Sequence, residues 1–242
     1  MPQVVKNLNK LKIAVEHEGF IEPLKNNSTC ANDVYVHFRN IEDYLVERLK
    51  IHDCVVGCVA WLTNEKILKS LANVKGGVSI VVQKEDFLRP DLDILDNWKQ
   101  KLRELYKNLQ SPSMSKYGFG ELVGKLSVCG DPTISPIRCV GNHNKDKKVA
   151  FPRMHNKFLV FCEIIVAIDS DGTKYETVKP RAVWTGSFNF TYNSSMSFEN
   201  AVVIENDTIA KAYFDEWQNI YSLSEELNWE CDWCAPEFRI GT

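Results

Sequence analysis

Apolar runs alternate with amphipathic stretches along most of the chain. Residues 41–51, IEDYLVERLKI, place Ile41, Tyr44, Leu45 and Leu49 at the spacing of one helix face. CVVGCVAWL (54–62) is a near-continuous apolar run of strand length. TNEKILKSLANV follows, with Thr63 or Asn64 placed to cap a short helix and Glu65 at its positive end. After a Gly-Gly break, VSIVVQ (78–83) reads as a second buried strand. The order helix, strand, helix, strand predicts an α/β fold with helices covering both faces of a sheet.

Further along, residues 91–109 hold the longest helical pattern. The stretch 110–135 is rich in Ser, Gly and Pro and surrounds a short strand at KLSVCG. Strands are expected over 136–140, 155–162 and 199–205, with a hairpin turn at Ser170-Asp171-Gly172. A helix over 207–223, capped by Asp207, spaces Ile209, Tyr213, Trp217 and Ile220 on one face. The expected organisation is an N-terminal extension (1–40), one domain (41–223) and a C-terminal tail (224–242).

Composition narrows the class. With 242 residues and 44% hydrophobic content the chain can bury a sizeable core, and no fixed repeat points to a solenoid. The formal charge of -3 rules out an overall cationic surface but allows a local basic patch. No apolar run approaches the roughly 20 residues needed to cross a bilayer. The first twenty residues lack the apolar block of a signal peptide, so a soluble cytoplasmic protein without stable membrane association is expected. Most of the eight cysteines sit in apolar runs, where a reduced thiol is a small hydrophobe.

The chemistry concentrates in two segments. In RMHNKFLVFC an extended backbone would project His155 and Lys157 to the same side. An imidazole beside a fixed ammonium suits an anion, which the lysine holds while the imidazole attacks or shuttles a proton. In WTGSFNFTYNSS, Gly186 lets the backbone come close, and Ser187 and Asn189 can hydrogen-bond non-bridging oxygens. Glu199 follows, where a carboxylate could hold a histidine N–H. Either segment alone also reads as ordinary strand-edge or turn chemistry.

Together, in this order, the residues resemble the phospholipase D superfamily, whose signature is His-x-Lys, four residues, Asp, then Gly-Ser-x-Asn. The likeness is to small single-motif members related to bacterial endonucleases. His155 and Lys157 match the first part, Gly186, Ser187 and Asn189 the second, and SFENAVVIEN the segment that carries the supporting glutamate, Glu199. Where the superfamily has aspartate this chain has Cys162, with Glu163 next to it on what would be the opposite strand face. The resemblance implies a sandwich of mixed β-sheet flanked by helices. It also implies a phosphodiesterase in which one histidine forms a phosphohistidine and a second protonates the leaving oxygen, with no metal and no cofactor.

This chain carries the motif once. His17, His37 and His52 lack a lysine two places on, and His143, followed by Lys145, lies in what reads as a polar loop. The inference is a homodimer in which two copies of His155 meet and Glu199 orients its own histidine. Nucleic acid, DNA in the first instance, is the expected partner. Residues 138–157 hold Arg138, Lys145, Lys147, Lys148, Arg153 and Lys157 against Asp146 alone. The alternatives are a solvated loop there, a lipid phosphodiesterase, or a degenerate domain kept for dimerisation. A zinc set from Cys139, His143, Cys231 and Cys234 is arithmetically available, but core or surface cysteines are the favoured reading, so no metal is assigned.

Overall fold

The computed structural model describes residues 5–14, 21–88, 97–113, 117–120, 122, 134–144 and 151–227. A small antiparallel ribbon pairs β1 (Lys12–Ala14) with β2 (Ile21–Pro23). Among the described residues the main body is a nine-stranded sheet. Its strands are β3 (Thr29–Ala31), β4 (Val34–His37), β5 (Cys54–Val59), β6 (Val78–Glu85), β7 (Tyr117–Gly118), β8 (Ile137–Asn144), β9 (Lys157–Ile168), β10 (Lys174–Gly186) and β11 (Ala201–Ile204). The spatial order is β3-β4-β11-β10-β9-β5-β6-β8, with β7 beside β10. Most neighbours are antiparallel, while β5-β6, β6-β8 and β7-β10 are parallel.

Helices cover both faces, as the apolar runs predicted. On one face α1 (Ile41–Leu49), α2 (Glu65–Leu71) and α3 (Asn97–Lys107) pack Leu45, Ile67, Leu68, Leu102 and Tyr106 onto Val55, Ile80, Leu159, Phe161 and Trp184. On the other, α5 (Asp207–Ser222) packs Phe214, Trp217 and Tyr221 onto Val56, Val81, Val160 and Val183. A short α4 (Tyr192–Ser195) lies between β10 and β11 in the chain. Every residue of β5 and β6 is buried, because strands covered on both sides have no solvent face. The architecture is an α/β sandwich around a mixed, largely antiparallel sheet.

Several boundaries moved. Of the two expected caps of α2, Asn64 takes the role, accepting from the N–H groups of Lys66 and Ile67. Asn206, not Asp207, caps α5, leaving Asp207 in the first turn to pair with Lys179 and Arg181. The buried stripe of α5 is Ala210, Phe214, Trp217 and Tyr221, a rotation that leaves Ile209 exposed. The expected strand over 155–162 begins at Lys157 and runs on to Ile168. Residues 29–37, within the expected extension, add β3 and β4 to the main sheet, and Glu225 of the expected tail bridges Cys139 of β8. The strand expected at KLSVCG and the first part of the helix expected over 91–109 lie outside the described residues. No helix among the described residues is long and apolar enough to cross a membrane.

Candidate active site

The strand directions bring the C-terminal ends of β4, β5, β6 and β10 and the starts of β9 and β11 to one edge of the sheet. Phe158 pairs with Thr185 and Lys157 with Val59, so the start of β9 lies between the ends of β10 and β5. Gly186 pairs with Ala201, which in turn pairs with His37. The two sequence segments therefore meet at this edge.

His155 sits two residues before β9 with its side chain exposed. Its backbone is pinned on both sides. The Met154 N–H donates to Gln83 Oε1 (2.7 Å), and the Asn156 carbonyl accepts from the Ala60 N–H (2.8 Å). An exposed imidazole on an anchored backbone is suited to meeting a substrate. Lys157 folds back over it: Nζ lies 3.3 Å from Nε2, 3.4 Å from Nδ1 and 3.0 Å from the His155 carbonyl, to which it donates. Partial burial, then the charges of Lys157 and Arg153, hold the His155 pKa below its ordinary value. Burial also lowers the Lys157 pKa, against the opposing pull of the Glu199 carboxylate. Burial and the neighbouring cations both favour the neutral form of the imidazole.

Gly186 ends β10 at φ 152°, and a Cβ there would fall 2.3 Å from the Asn200 carbonyl oxygen. Only glycine permits this approach of β10 to the start of β11. Ser187 follows, and its hydroxyl is fully engaged. It donates to the Glu199 carboxylate and accepts from the backbone N–H (3.1 Å) and side-chain amide (3.3 Å) of Asn200. Glu199, expected on His155, has Ser187 as its hydrogen-bond partner, because the Gly186–Ala201 register sets the residues flanking that pair against each other. Its field still reaches Lys157. Asn189 lies between the buried rings of Phe188 and Phe190, and its Oδ1 is buried without a hydrogen-bond partner. The loop is tied back by the Phe190 N–H, which donates to the Trp61 carbonyl (3.0 Å).

Trp61 and Glu85 belong to this edge as well. The Trp61 ring stands edge-on to His155 (5.4 Å between centroids) and beneath Lys157 Nζ (6.0 Å). Its indole N–H donates to Glu85 Oε1 (2.8 Å) at the end of β6. In the sequence Trp61 falls within the apolar run 54–62 and carries no motif of its own. Only the β5-β9 register shows that the residues just past Val59 flank the start of β9.

The basic patch divides. Arg153 and Lys157 lie beside His155, while Lys145, Lys147 and Lys148 are outside the described residues. Arg138 does not belong to it: the residue is buried on β8, where it donates to Ser224 and stacks on Tyr221. His143 is also not in a polar loop but buried in β8, which continues past Gly141 because the Gln83 side-chain amide donates to the Asn142 carbonyl (2.6 Å). Cys139 is buried, with Sγ 3.4 Å from the Glu226 carbonyl, and Cys231 and Cys234 lie outside the described residues. No group of three or more His, Cys, Asp or Glu among the described residues could hold a metal ion. Cys162 is wholly buried opposite Cys54, and Glu163 faces away from it, paired with Arg181 (2.7 Å).

Fold and site together define an α/β sandwich protein with a His–Lys pair and a Ser–Glu pair at one sheet edge. The chain belongs to the family of the uncharacterized protein L381 of Acanthamoeba polyphaga mimivirus, with which it is 32% identical over 236 residues, 93% of this chain and 74% of that one. No family model matches it. Among solved structures it is similar to Nuc, a phospholipase D family member from Salmonella typhimurium. That match has 17% identity and a TM-score of 0.47, over 79% of this chain and 95% of that one. It is also similar to NucT from Helicobacter pylori, with 10% identity and a TM-score of 0.46, over 80% and 98% of the two chains.

Proposed function

We propose that the chain is a phosphodiesterase of the phospholipase D type, acting on nucleic acid through a site shared by two copies. The observation that supports this most is the Lys157 ammonium held 3.3 Å from the His155 imidazole, on the sheet edge that also carries Gly186, Ser187 and Asn189. In this reading a neutral His155 nitrogen attacks phosphorus, forming an N–P bond as the P–O bond to the leaving group breaks. His155 of the second copy, protonated, gives its proton to the leaving oxygen. Water activated by that second histidine then attacks the phosphohistidine and restores the first. Lys157 from each copy offsets charge on the non-bridging oxygens, and Asn189 adds amide contacts. Glu199 acts through Ser187 and Lys157 as a positioning residue.

The test is incubation of the purified chain with supercoiled plasmid, single-stranded circular DNA, RNA and a short-chain phospholipid in EDTA, from pH 5 to 8, beside H155A. Cleavage of nucleic acid by the wild type and not by H155A supports the reading. Adding excess H155A should quench wild-type activity by forming mixed dimers. Full activity in a strictly monomeric fraction sinks the shared site. Lipid cleavage alone moves the substrate class, and no cleavage of any substrate would mark the domain as degenerate.

A further inference from the structure

Two arginines flank the His155 edge with no carboxylate partner among the described residues, and each lies on the face of an exposed phenyl ring. Arg153 stacks over Phe151 (4.7 Å to the ring centroid) and Arg39 over Phe198 (5.3 Å). Phe151 is 72% and Phe198 53% exposed. Many other cations among the described residues do have acidic partners. Arg48 pairs with Glu205, Arg181 with Glu163 and Asp207, and Lys66, Lys69, Lys179 and Lys211 all have acidic partners. In an acidic chain, two guanidiniums left uncompensated at one edge are placed for an external anion.

The two platforms lie on opposite sides of His155. The Phe151 and Pro152 carbonyls accept from Asn142 of β8, whereas Phe198 just precedes β11. Five strand spacings separate β8 from β11, about 24 Å across the sheet, with β9 between them. On the Arg39 side a cleft of about 1120 Å³ opens, lined among others by Phe188 of the Gly-Ser-Phe-Asn loop, Arg39 and the exposed ring of Tyr192. Acidic residues in that cleft are already paired, Glu42 and Asp43 with Lys66 and Glu65 with Lys69.

Exposed rings backed by guanidiniums, spaced along one line and centred on a phosphate site, match an unstacked polynucleotide. A base can stack on the free face of each phenyl while the arginine behind it meets a phosphate. Paired bases in a duplex offer no such faces, and a lipid offers none at all. We infer that this edge binds a single strand of nucleic acid, laid from Phe151–Arg153 across His155 to Phe198–Arg39. The inference rests on the phosphodiesterase reading only for the location of the scissile phosphate.

The test measures binding in the full chain carrying H155A, by fluorescence anisotropy. The probes are labelled oligo-dT, oligo-U and a blunt dA·dT duplex, with sedimentation on phosphatidylglycerol vesicles alongside. Single strands should bind at least about tenfold tighter than the duplex, and vesicles should not capture the chain. F151A and F198A should each weaken single-strand binding by about 5- to 150-fold, the range for losing one stacked base, and F151W and F198W should retain it. R39A and R153A should each flatten the slope of log affinity against log salt by about 0.7, as for one lost phosphate contact on a single strand. Comparison of oligo-dT with oligo-U separates DNA from RNA. Equal duplex binding, Phe variants that bind like the parent, or vesicle capture in place of single strands would each overturn the inference. The two readings fail separately. A wild type that cleaves nothing but keeps the phenyl-dependent binding loses the catalysis alone. One that cleaves duplex and single strand alike, indifferent to both phenylalanines, loses the single-strand surface alone.

Discussion

Lys157 Nζ stands almost equidistant from the two ring nitrogens of His155, 3.3 Å from Nε2 and 3.4 Å from Nδ1. Equal distances put the ammonium over the ring and not in line with one lone pair. A cation so placed disfavours a second positive charge on the imidazole, and burial acts in the same direction.

This arrangement predicts the acid side of the pH profile. An imidazole with a lowered pKa stays neutral further into acid, so kcat/KM should begin to fall only below the ordinary histidine value of about 6.5. K157M removes the repelling charge but not the burial, so the limb should shift upward part of the way toward that value. In the proposed mechanism the same variant loses the cation that offsets phosphate charge, so its rate should drop by about 10²-fold. A wild-type limb above 6.5, or one that K157M leaves in place, would show that the pair does not control the nucleophile.

Ser187 and Glu199 should behave as a unit. The serine hydroxyl donates to the carboxylate while accepting from Asn200, so losing either partner frees the other. S187A and E199Q should each lower kcat/KM about tenfold with little loss of stability. The double variant should be scarcely worse than either single one, giving a coupling of about 1.4 kcal/mol, the tenfold effect itself, in a double-mutant cycle. Additive effects would mean that the two residues contribute separately.

Much of this edge was legible in the chain itself, for a physical reason. His155, Lys157, Gly186 and Ser187 lie in short motifs whose residue types carry their chemistry, and buried strands such as Val78–Glu85 announce themselves as apolar runs. What could not be read depends on register between strands distant in sequence. Glu199 meets Ser187, and Trp61 meets His155, only because β11 and β5 align as they do beside β10 and β9. Arg138 and His143 looked like surface groups because the partners that let them be buried, such as Ser224, come from far along the chain. The rotated face of α5 has a similar cause: periodicity locates a helix, but the sheet beneath selects which stripe it buries.

Gly186 gives a test of how tightly β10 must approach β11. An added Cβ would meet the Asn200 carbonyl oxygen at 2.3 Å and the Ala201 Cα at 2.9 Å, both backbone atoms that cannot swing aside. G186A should therefore destabilise the chain by about 2–4 kcal/mol in urea unfolding and disturb the Ser187–Glu199 contact. Gly172, in the hairpin turn at φ 88° with nothing within 4 Å of its missing Cβ, supplies the control. G172A should cost only the backbone strain, about 1 kcal/mol, and leave activity unchanged. Equal costs at both sites would show that crowding at the sheet edge is not what requires glycine.

Cys162, where the signature that the sequence resembles has aspartate, has the surroundings of a core residue. It is wholly inaccessible, opposite Cys54 and within the cluster of Val56, Val160 and Trp217, and burial pushes its thiol pKa far up. An aspartate at this position should therefore harm this chain. C162D places a carboxylate among apolar groups and should cost about 3 kcal/mol or more at neutral pH, whereas C162V should be tolerated within about 1.5 kcal/mol. The sign of the pH dependence follows from burial. The folded-state carboxyl pKa would rise above its unfolded value near 3.9, so the variant keeps its stability below that pH and loses it progressively as pH increases. Urea unfolding of C162D from pH 4 to 8 would show this as a falling midpoint relative to the parent. A C162D chain as stable as the parent and more active would instead mean that the cysteine replaced a working aspartate, and that Asp at 162 finds polar partners the cysteine does not use.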